Sequence, residues 1–226
     1  MTALVIVRPE PGASATAARA KLLGLETIVC PLFVAQPLSW TSPDPDQFDA
    51  LVFTSANAVR LSGIQLRRYL EKPVFAVGER TADAARDYGF KDVTAGLSSG
   101  RALIEILVGR GCNSLLHLAG ADALTLCGSG ATVTVLPVYE ARAIDPMPDF
   151  LLMLEKPAVV MIHSPRAGRA IATLCDKRDH LQIIAISRAA AFEMGSGWCD
   201  VRYPEYPRDD AMLELANQMC KCSPQG

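Results

Sequence analysis

Segments of this chain return later in the same order and with the same spacing, which confines the fold to two similar units. LVFTSANAVR (Leu51 to Arg60), VFAVGERTADA (Val74 to Ala84) and RALIEIL (Arg101 to Leu107) come back as VMIHSPRAGR, IIAISRAAAFE and DAMLELA. Ser55 maps on Ser164, Arg60 on Arg169, Ala76 on Ala185 and Glu105 on Glu214. Identity between the copies is low. The signal is the shared sequence of apolar strand, polar cap and helix at one fixed offset. A shorter echo, at a slightly smaller offset, relates TIVCPLFVA (Thr27 to Ala35) to VTVLPVYEA (Val133 to Ala141), with Pro31 on Pro137. Proline inside a β-rich stretch suits a strand that leaves a sheet as an edge or connection. The two echoing segments therefore read as the outgoing and returning linkers between domains. Residues 1–36 with 142–226 are expected to form one discontinuous α/β domain and 47–138 an inserted one, with linker strands near 32–40 and 136–142.

Strands are predicted at Leu4 to Val7, Thr27 to Cys30, Leu51 to Phe53, Val74 to Val77, Ser114 to Leu118, Val133 to Leu136, Val159 to Ile162 and Ile183 to Ile186. Helices fall between them: Ala15 to Leu23 stopped by Gly24, Glu79 to Tyr88 stopped by Gly89, Arg101 to Val108 stopped by Gly109, and one opened by Ser164-Pro165. This alternation predicts an α/β fold of two similar domains, each a parallel sheet flanked by helices, joined by a two-stranded linker.

Composition excludes several function classes. A net charge of −2 without a Lys/Arg run argues against nucleic acid as a partner. No apolar stretch approaches the length of a membrane span, and the opening run ALVIV, stopped by Arg8, is shorter than a secretion signal. Seven cysteines, among them Cys30, Cys127 and Cys175 in apolar surroundings, read as buried free thiols of a cytosolic protein. Cys220 and Cys222 read as an incidental pair on a fraying end. His117, His163 and His180 lack metal-ligand spacing, so no metal site is expected.

In open parallel sheets ligands sit beyond the carboxyl ends of the strands. The corners there carry Arg8; Thr54, Ser55 and Asn57; Gly78, Glu79, Arg80 and Thr81; Gly120; His163, Ser164 and Arg166; and Ser187 and Arg188. Free backbone N–H groups at such corners bind anions. Ser55, Ser164 or Ser187 taken alone does no more than cap a helix, and His163 suits a hydrogen-bonding corner residue better than a general base. Together the corners point to a large polyanionic ligand held from both domains. Phosphate-binding glycine loops, a nucleophile elbow and a paired-carboxylate motif are all absent from the sequence.

LVIVRPEPGASATAARAKLLGLETIVCPLF, LVFTSANAV, VFAVGERTADAARDYGF, LPVYEA and VVMIHSPRAG, in that order, resemble the uroporphyrinogen-III synthase family from Leu4 to about Leu215. The resemblance implies a cofactor-free lyase that cyclises hydroxymethylbilane, a linear tetrapyrrole with eight carboxylates, to uroporphyrinogen III with loss of water and inversion of ring D. It implies a cytoplasmic monomer in haem biosynthesis, with hand-over of substrate from hydroxymethylbilane synthase. Tyr139 of VYEA matches the family tyrosine proposed to assist departure of the hydroxyl. Thr81 matches the threonine of the A-V-G-x-x-T-A pattern, and Ser55, Ser164 and Arg8 match corner residues that would contact substrate carboxylates. Arg8 has a second reading, as the partner of Glu10 or another acid. The corner Ser187-Arg188-Ala189-Ala190 departs from the family's glycine and threonine, leaving Arg188 to supply charge in place of two hydroxyls. That departure keeps open a degenerate tetrapyrrole-binding or sensory protein, while the missing phosphate loops disfavour an enzyme of nucleotide or sugar-phosphate metabolism.

Overall fold

A computed structural model describes residues 2–96, 100–123, 126 and 130–222. The chain divides into two compact α/β units, one made of residues up to Val34 and from Ala143 onward, the other of Ala35–Arg142.

The first unit opens with β1 (Ala3–Ile6), α1 (Gly12–Leu22), β2 (Thr27–Val29) and the start of β3 (Phe33–Pro37). The second continues with β4 (Ala50–Phe53), α2 (Ala56–Leu61), β5 (Val74–Val77), α3 (Glu79–Tyr88), β6 (Val93–Gly96), α4 (Gly100–Gly109), β7 (Ser114–Gly120) and β8 (Thr132–Ala143). The chain then completes the first unit with α5 (Pro148–Leu154), β9 (Ala158–Ile162), α6 (Pro165–Leu174), β10 (Leu181–Ala185), α7 (Arg188–Phe192), β11 (Asp200–Arg202) and α8 (Asp209–Cys222).

The two sheets have the orders β11-β10-β9-β1-β2 and β3-β8-β7-β4-β5-β6. Apart from β3 they are the same sheet, entered at different points. In the second unit the strands follow one another as β4, β5, β6, β7, β8; in the first the equivalent run is β9, β10, β11, β1, β2, a circular permutation. Register repeats with the order. Leu51 lies between Leu116 and Val74, and Val160, its counterpart in the repeat, lies between Val5 and Ile183. Thr27 pairs with Leu4 as Val133 pairs with Leu115.

The interior strands β1, β4, β5, β7, β9 and β10 are buried on both faces, as crossover helices require of parallel sheets. In the second unit Leu51, Phe53, Leu116 and Leu118 pack on one face with Val59 of α2 and Ala85 of α3, while Val52, Phe75 and Leu115 pack on the other with Leu103, Ile104 and Leu107 of α4. In the first unit Leu4, Ile6, Val159 and Met161 pack with Ala13 and Ala20 of α1 and Met212, Leu213 and Ala216 of α8.

Helix α3 spans its expected residues because Gly89, at φ 118°, adopts the left-handed cap that a side chain resists. Helix α1 begins at Gly12, ahead of the expected Ala15, because the Glu10 carboxylate accepts the Ser14 amide at 3.0 Å and hydroxyl at 2.7 Å. Strand β3 falls within the linker strand expected near 32–40, whereas β6 and β11 were not among those predicted; β3, β6 and β11 each lie at a sheet edge. At such edges apolar burial is too weak to mark β6 and β11 in the sequence. Pro31 separates β2 from β3 as expected, but Pro137 does not end β8; the β7–β8 ladder is irregular between Ala119 and Gly120 at that level and ends with Tyr139, while β8 itself continues to Ala143. The shorter echo therefore marks equivalent sheet strands first, with linker chain only beyond them. Leu38 and Ile144 donate their amides to the Val138 and Leu32 carbonyls, so β3 runs antiparallel beside β8.

The cysteines depart from expectation in part. Cys175 is buried, but Cys30 is only half-buried, Cys199 is exposed, and Cys127 lies outside the described residues. Cys220 is packed in the α8 core rather than on a loose end, and burial pushes its thiol up to about 11.

Candidate functional site

Each sheet has one place where neighbouring strands lead to helices on opposite sides, so that their carboxyl ends open a crevice. In the second unit this lies between β4 and β7; in the first, between β9 and β1. The two equivalent crevices are built very differently.

Between β4 and β7 there is an open cavity of about 360 Å³, lined by Thr54 and Ser55 after β4, Gly120, Ala121 and Asp122 after β7, and Tyr139 of β8. Ser55 caps α2, accepting the Asn57 amide at 3.2 Å, which leaves its own hydroxyl proton to donate outward. Gly120 pairs with Tyr139, and the Ala121 amide donates to the Tyr139 carbonyl at 2.8 Å, so backbone ties fix the tyrosine against the β7 turn. The ring lies so close that a Cβ on residue 120 would stand 2.8 Å from Tyr139 Cζ and 3.0 Å from its hydroxyl oxygen. Gly120→Ala is therefore expected to cost about 1–3 kcal/mol of stability through overpacking. Urea unfolding should show that cost shrinking in a Tyr139→Leu background, and an equal cost in both backgrounds would remove the contact as its cause.

Thr54 Oγ1 is 3.1 Å from His117 Nε2. His117 faces Val52 across the β4–β7 ladder, and Thr54 follows Val52 on the same strand face. The imidazole is fully buried, which pushes its pKa down to about 4. Burial thus keeps it neutral in the fold, whereas the unfolded chain takes up its proton near 6.5. The stability conferred is complete above that value and is lost as pH falls toward about 4, amounting to about 3 kcal/mol. In denaturant titrations, His117→Gln should flatten the acid loss of stability by that order; an unchanged slope would show that His117 does not titrate as described.

The equivalent crevice of the first unit is filled by an ionic network. Arg8, after β1, donates to Asp209 Oδ1 at 3.1 Å and to Thr16 Oγ1 at 3.3 Å. Thr16 donates to Asp209 Oδ2 at 2.8 Å, His163 Nε2 lies 2.6 Å from Asp209 Oδ1, and Arg19 pairs with both Asp209 and Asp210. Burial alone would raise the Asp209 carboxyl, but hydrogen bonds from His163 and Thr16 and the Arg8 charge outweigh it and hold it at about 2. Burial lowers the pKa of His163, so its ring is held neutral and serves Asp209 as an N–H donor. Arg8 therefore pairs with an acid, Asp209 and not Glu10.

The other expected residues divide by corner. Gly78 caps α3, Glu79 pairs with Arg86 at 2.7 Å, and Arg80 is exposed. Thr81 is only 5% exposed and its amide donates to the Gly78 carbonyl at 3.2 Å, so that N–H is used within the helix. Ser164 and Ser187 cap α6 and α7 by accepting the Ala167 and Ala190 amides at 3.1 and 3.3 Å. Arg166 lies over the Phe33 ring at 4.7 Å, and Arg188 is exposed. The structure thus brings Thr54, Ser55, Gly120 and Tyr139 to one cavity, and Arg8 and His163 to one ion network. A larger cavity of about 630 Å³, lined by Leu151, Leu154, Cys175 and His180, lies where α6 ends and β10 begins, away from the strand carboxyl ends.

Sequence reasoning missed His117, Thr16, Asp122 and Asp209. A histidine within the apolar strand SLLHLAG was a signal for the first; the others depend on contacts between distant segments. Among the described residues no group of His, Cys, Asp and Glu is arranged to hold a metal ion, and no helix is long and apolar enough to cross a membrane.

A family model described as Uroporphyrinogen-III synthase HemD matches residues 14–214. In fold the chain is similar to the uroporphyrinogen-III synthetase of Helicobacter pylori 26695, with a TM-score of 0.69 and 21% identity over 97% of this chain and 100% of that one. It is also similar to a mutant uroporphyrinogen III synthase of the extremely thermophilic bacterium Thermus thermophilus, with a TM-score of 0.51 and 15% identity over 99% of this chain and 100% of that one. No curated protein matches the chain significantly in sequence. At these identities the structural likenesses speak to fold, while the family match spans most of the sequence. The chain belongs to the uroporphyrinogen-III synthase family.

Proposed function

We infer that this chain is a cyclising hydro-lyase that converts hydroxymethylbilane to uroporphyrinogen III. The family match over residues 14–214 carries the reading. The cavity between β4 and β7 supplies a location for the chemistry. Its lining includes no Lys or Arg among the described residues, so anion recognition there falls to hydroxyls and backbone N–H groups. At about 360 Å³ the cavity suits part of a linear tetrapyrrole rather than all of it.

In the proposed reaction, Tyr139 donates a hydrogen bond to the terminal hydroxyl of the substrate as its carbon–oxygen bond breaks. The departing hydroxide takes up a proton and leaves as water while the pyrrole N–H of the same ring gives up a proton, and that ring becomes an azafulvene. A substituted carbon of ring D attacks to form a spiro intermediate, whose fragmentation and reclosure turn that ring around. The sum is one substrate giving one macrocycle and one water, with no change of oxidation state. Holding the chain in the reactive fold is the main task, because orientation alone is worth about 7–11 kcal/mol in favourable cases. Substrate passed directly from hydroxymethylbilane synthase would spend less time closing unaided, and nothing in the reading requires more than a monomer.

The test is to supply freshly generated hydroxymethylbilane, oxidise the products and separate the uroporphyrin isomers. Predominant isomer III is expected. Isomer I alone, at the rate found without protein, would overturn the reading in favour of a binding protein.

A further inference from the structure

We propose that His117 is a positioning residue that fixes the Thr54 hydroxyl as a hydrogen-bond donor into the β4–β7 cavity, toward a carboxylate of the substrate. The substrate part of this proposal rests on the function inferred above.

Thr54 Oγ1 has His117 Nε2 as its partner at 3.1 Å, and the other ring nitrogen, Nδ1, is buried without a hydrogen bond. A neutral imidazole carries one N–H, and the two tautomers have opposite consequences. If Nδ1 carried the proton, a buried N–H would be left unsatisfied and the Thr54 hydroxyl would have to donate to Nε2. If Nε2 carries it, only a lone pair is left unpaired and Nε2–H donates to Thr54 Oγ1. Orphaned buried N–H groups are the rarer and costlier defect, so the second arrangement is favoured. Burial supports it further by holding the ring neutral.

With its oxygen already accepting from His117, the Thr54 hydroxyl turns its proton away from the ring. Thr54 lines the cavity, so the proton is available to an acceptor there. Ser55 is arranged alike, its oxygen accepting from the Asn57 amide. Two adjacent hydroxyls thus each have one acceptor site occupied and a proton left to point into the cavity, which biases both toward donating. That bias favours anionic acceptors in a lining without Lys or Arg among the described residues. The first unit lacks the device: the counterpart of Thr54 in the repeat is His163, bound to Asp209.

Nitrogen NMR of the His117 side chain in the wild-type protein at neutral pH should show a neutral ring protonated at Nε2. Protonation at Nδ1 would overturn the proposal whatever the protein catalyses. The functional arm is a double-mutant cycle of His117→Leu and Thr54→Val, read as KM for hydroxymethylbilane and, separately, as affinity for the octacarboxylate uroporphyrin III. His117→Leu should raise KM and weaken uroporphyrin binding about tenfold, the usual effect of one hydrogen bond, with little change in kcat. It should cost nothing further once Thr54 is valine, whereas additive losses would make His117 merely structural and overturn the proposal. His117→Gln, which keeps a donor near Nε2, should retain most of the affinity; His117→Asn, whose amide reaches only to the level of Nδ1, should not. That contrast remains decisive should the leucine variant fail to fold. Coupling in uroporphyrin binding without isomer III from the wild type would refute the inferred reaction while supporting the role of His117.

Discussion

Asp209→Ala is expected to lower unfolding free energy by about 3–5 kcal/mol, the range for removing one partner of a buried ion network. Only 14% of the Asp209 side chain is exposed, and it is met by Arg8, Thr16, His163 and Arg19. Removing it takes one charged partner from Arg8 and the acceptor from the His163 N–H in a partly buried site. It also releases the first turn of α8 from α1 and from the corners after β1 and β9. Asp210 supplies an internal control, since it too pairs with Arg19 but is 67% exposed. Exposed pairs contribute about 0–1 kcal/mol, so Asp210→Ala should be nearly silent. The Asp209 contribution has a defined pH window. Its folded pKa, about 2, lies below the ordinary 3.8, so the stabilisation is present above the latter and is lost as pH falls toward about 2. Paired denaturant titrations of the two variants at neutral pH decide the matter. Equal, small effects would show that the first-unit crevice is held by apolar packing rather than by this carboxylate.

That crevice and its counterpart show how similar halves diverge. Both units have the same strand order and register, yet the position of Thr54, beside an open cavity, is taken in the first unit by His163, tied to Asp209. Asp209 stands at the start of α8, at the offset that places Gly100 at the start of α4. Stability and ligand access are thus served at equivalent places in different units.

The interior strands were readable because β4 and β9 are apolar on both faces, which only a covered parallel sheet explains. The end of α3 was readable from Gly89. Edge strands such as β11 were not, since Asp200-Val201-Arg202 carries no periodic burial. The circular permutation lay in the two offsets, but seeing it requires knowing which strands neighbour which. The ion network was hidden for a similar reason: Arg8 and Asp209 are 201 residues apart, and charge alone does not select one acid among 24. His117 and Thr54, 63 residues apart, meet only because β4 and β7 are neighbours.

Tyr139→Phe should produce the largest effect on turnover, a fall in kcat of about 10²-fold, the lower end of what a positioned proton donor supplies. The ring is held by backbone ties to Gly120 and Ala121, and among the described residues no protein group hydrogen-bonds its hydroxyl. Removing that oxygen should therefore leave stability close to wild type and act on chemistry alone. The proposed role also fixes which parameter moves. A donor that follows the departing hydroxyl strengthens its bond in the transition state, so kcat and kcat/KM should fall together while KM stays put. A rise in KM at constant kcat would instead assign the phenol to ground-state binding. The isomer ratio separates the roles further. If Tyr139 assists only formation of the azafulvene, the slow variant should still yield isomer III from every turnover it completes. Azafulvene released to close unaided would yield isomer I, and a variant producing it would show that Tyr139 holds the substrate's fold instead of assisting its first bond cleavage.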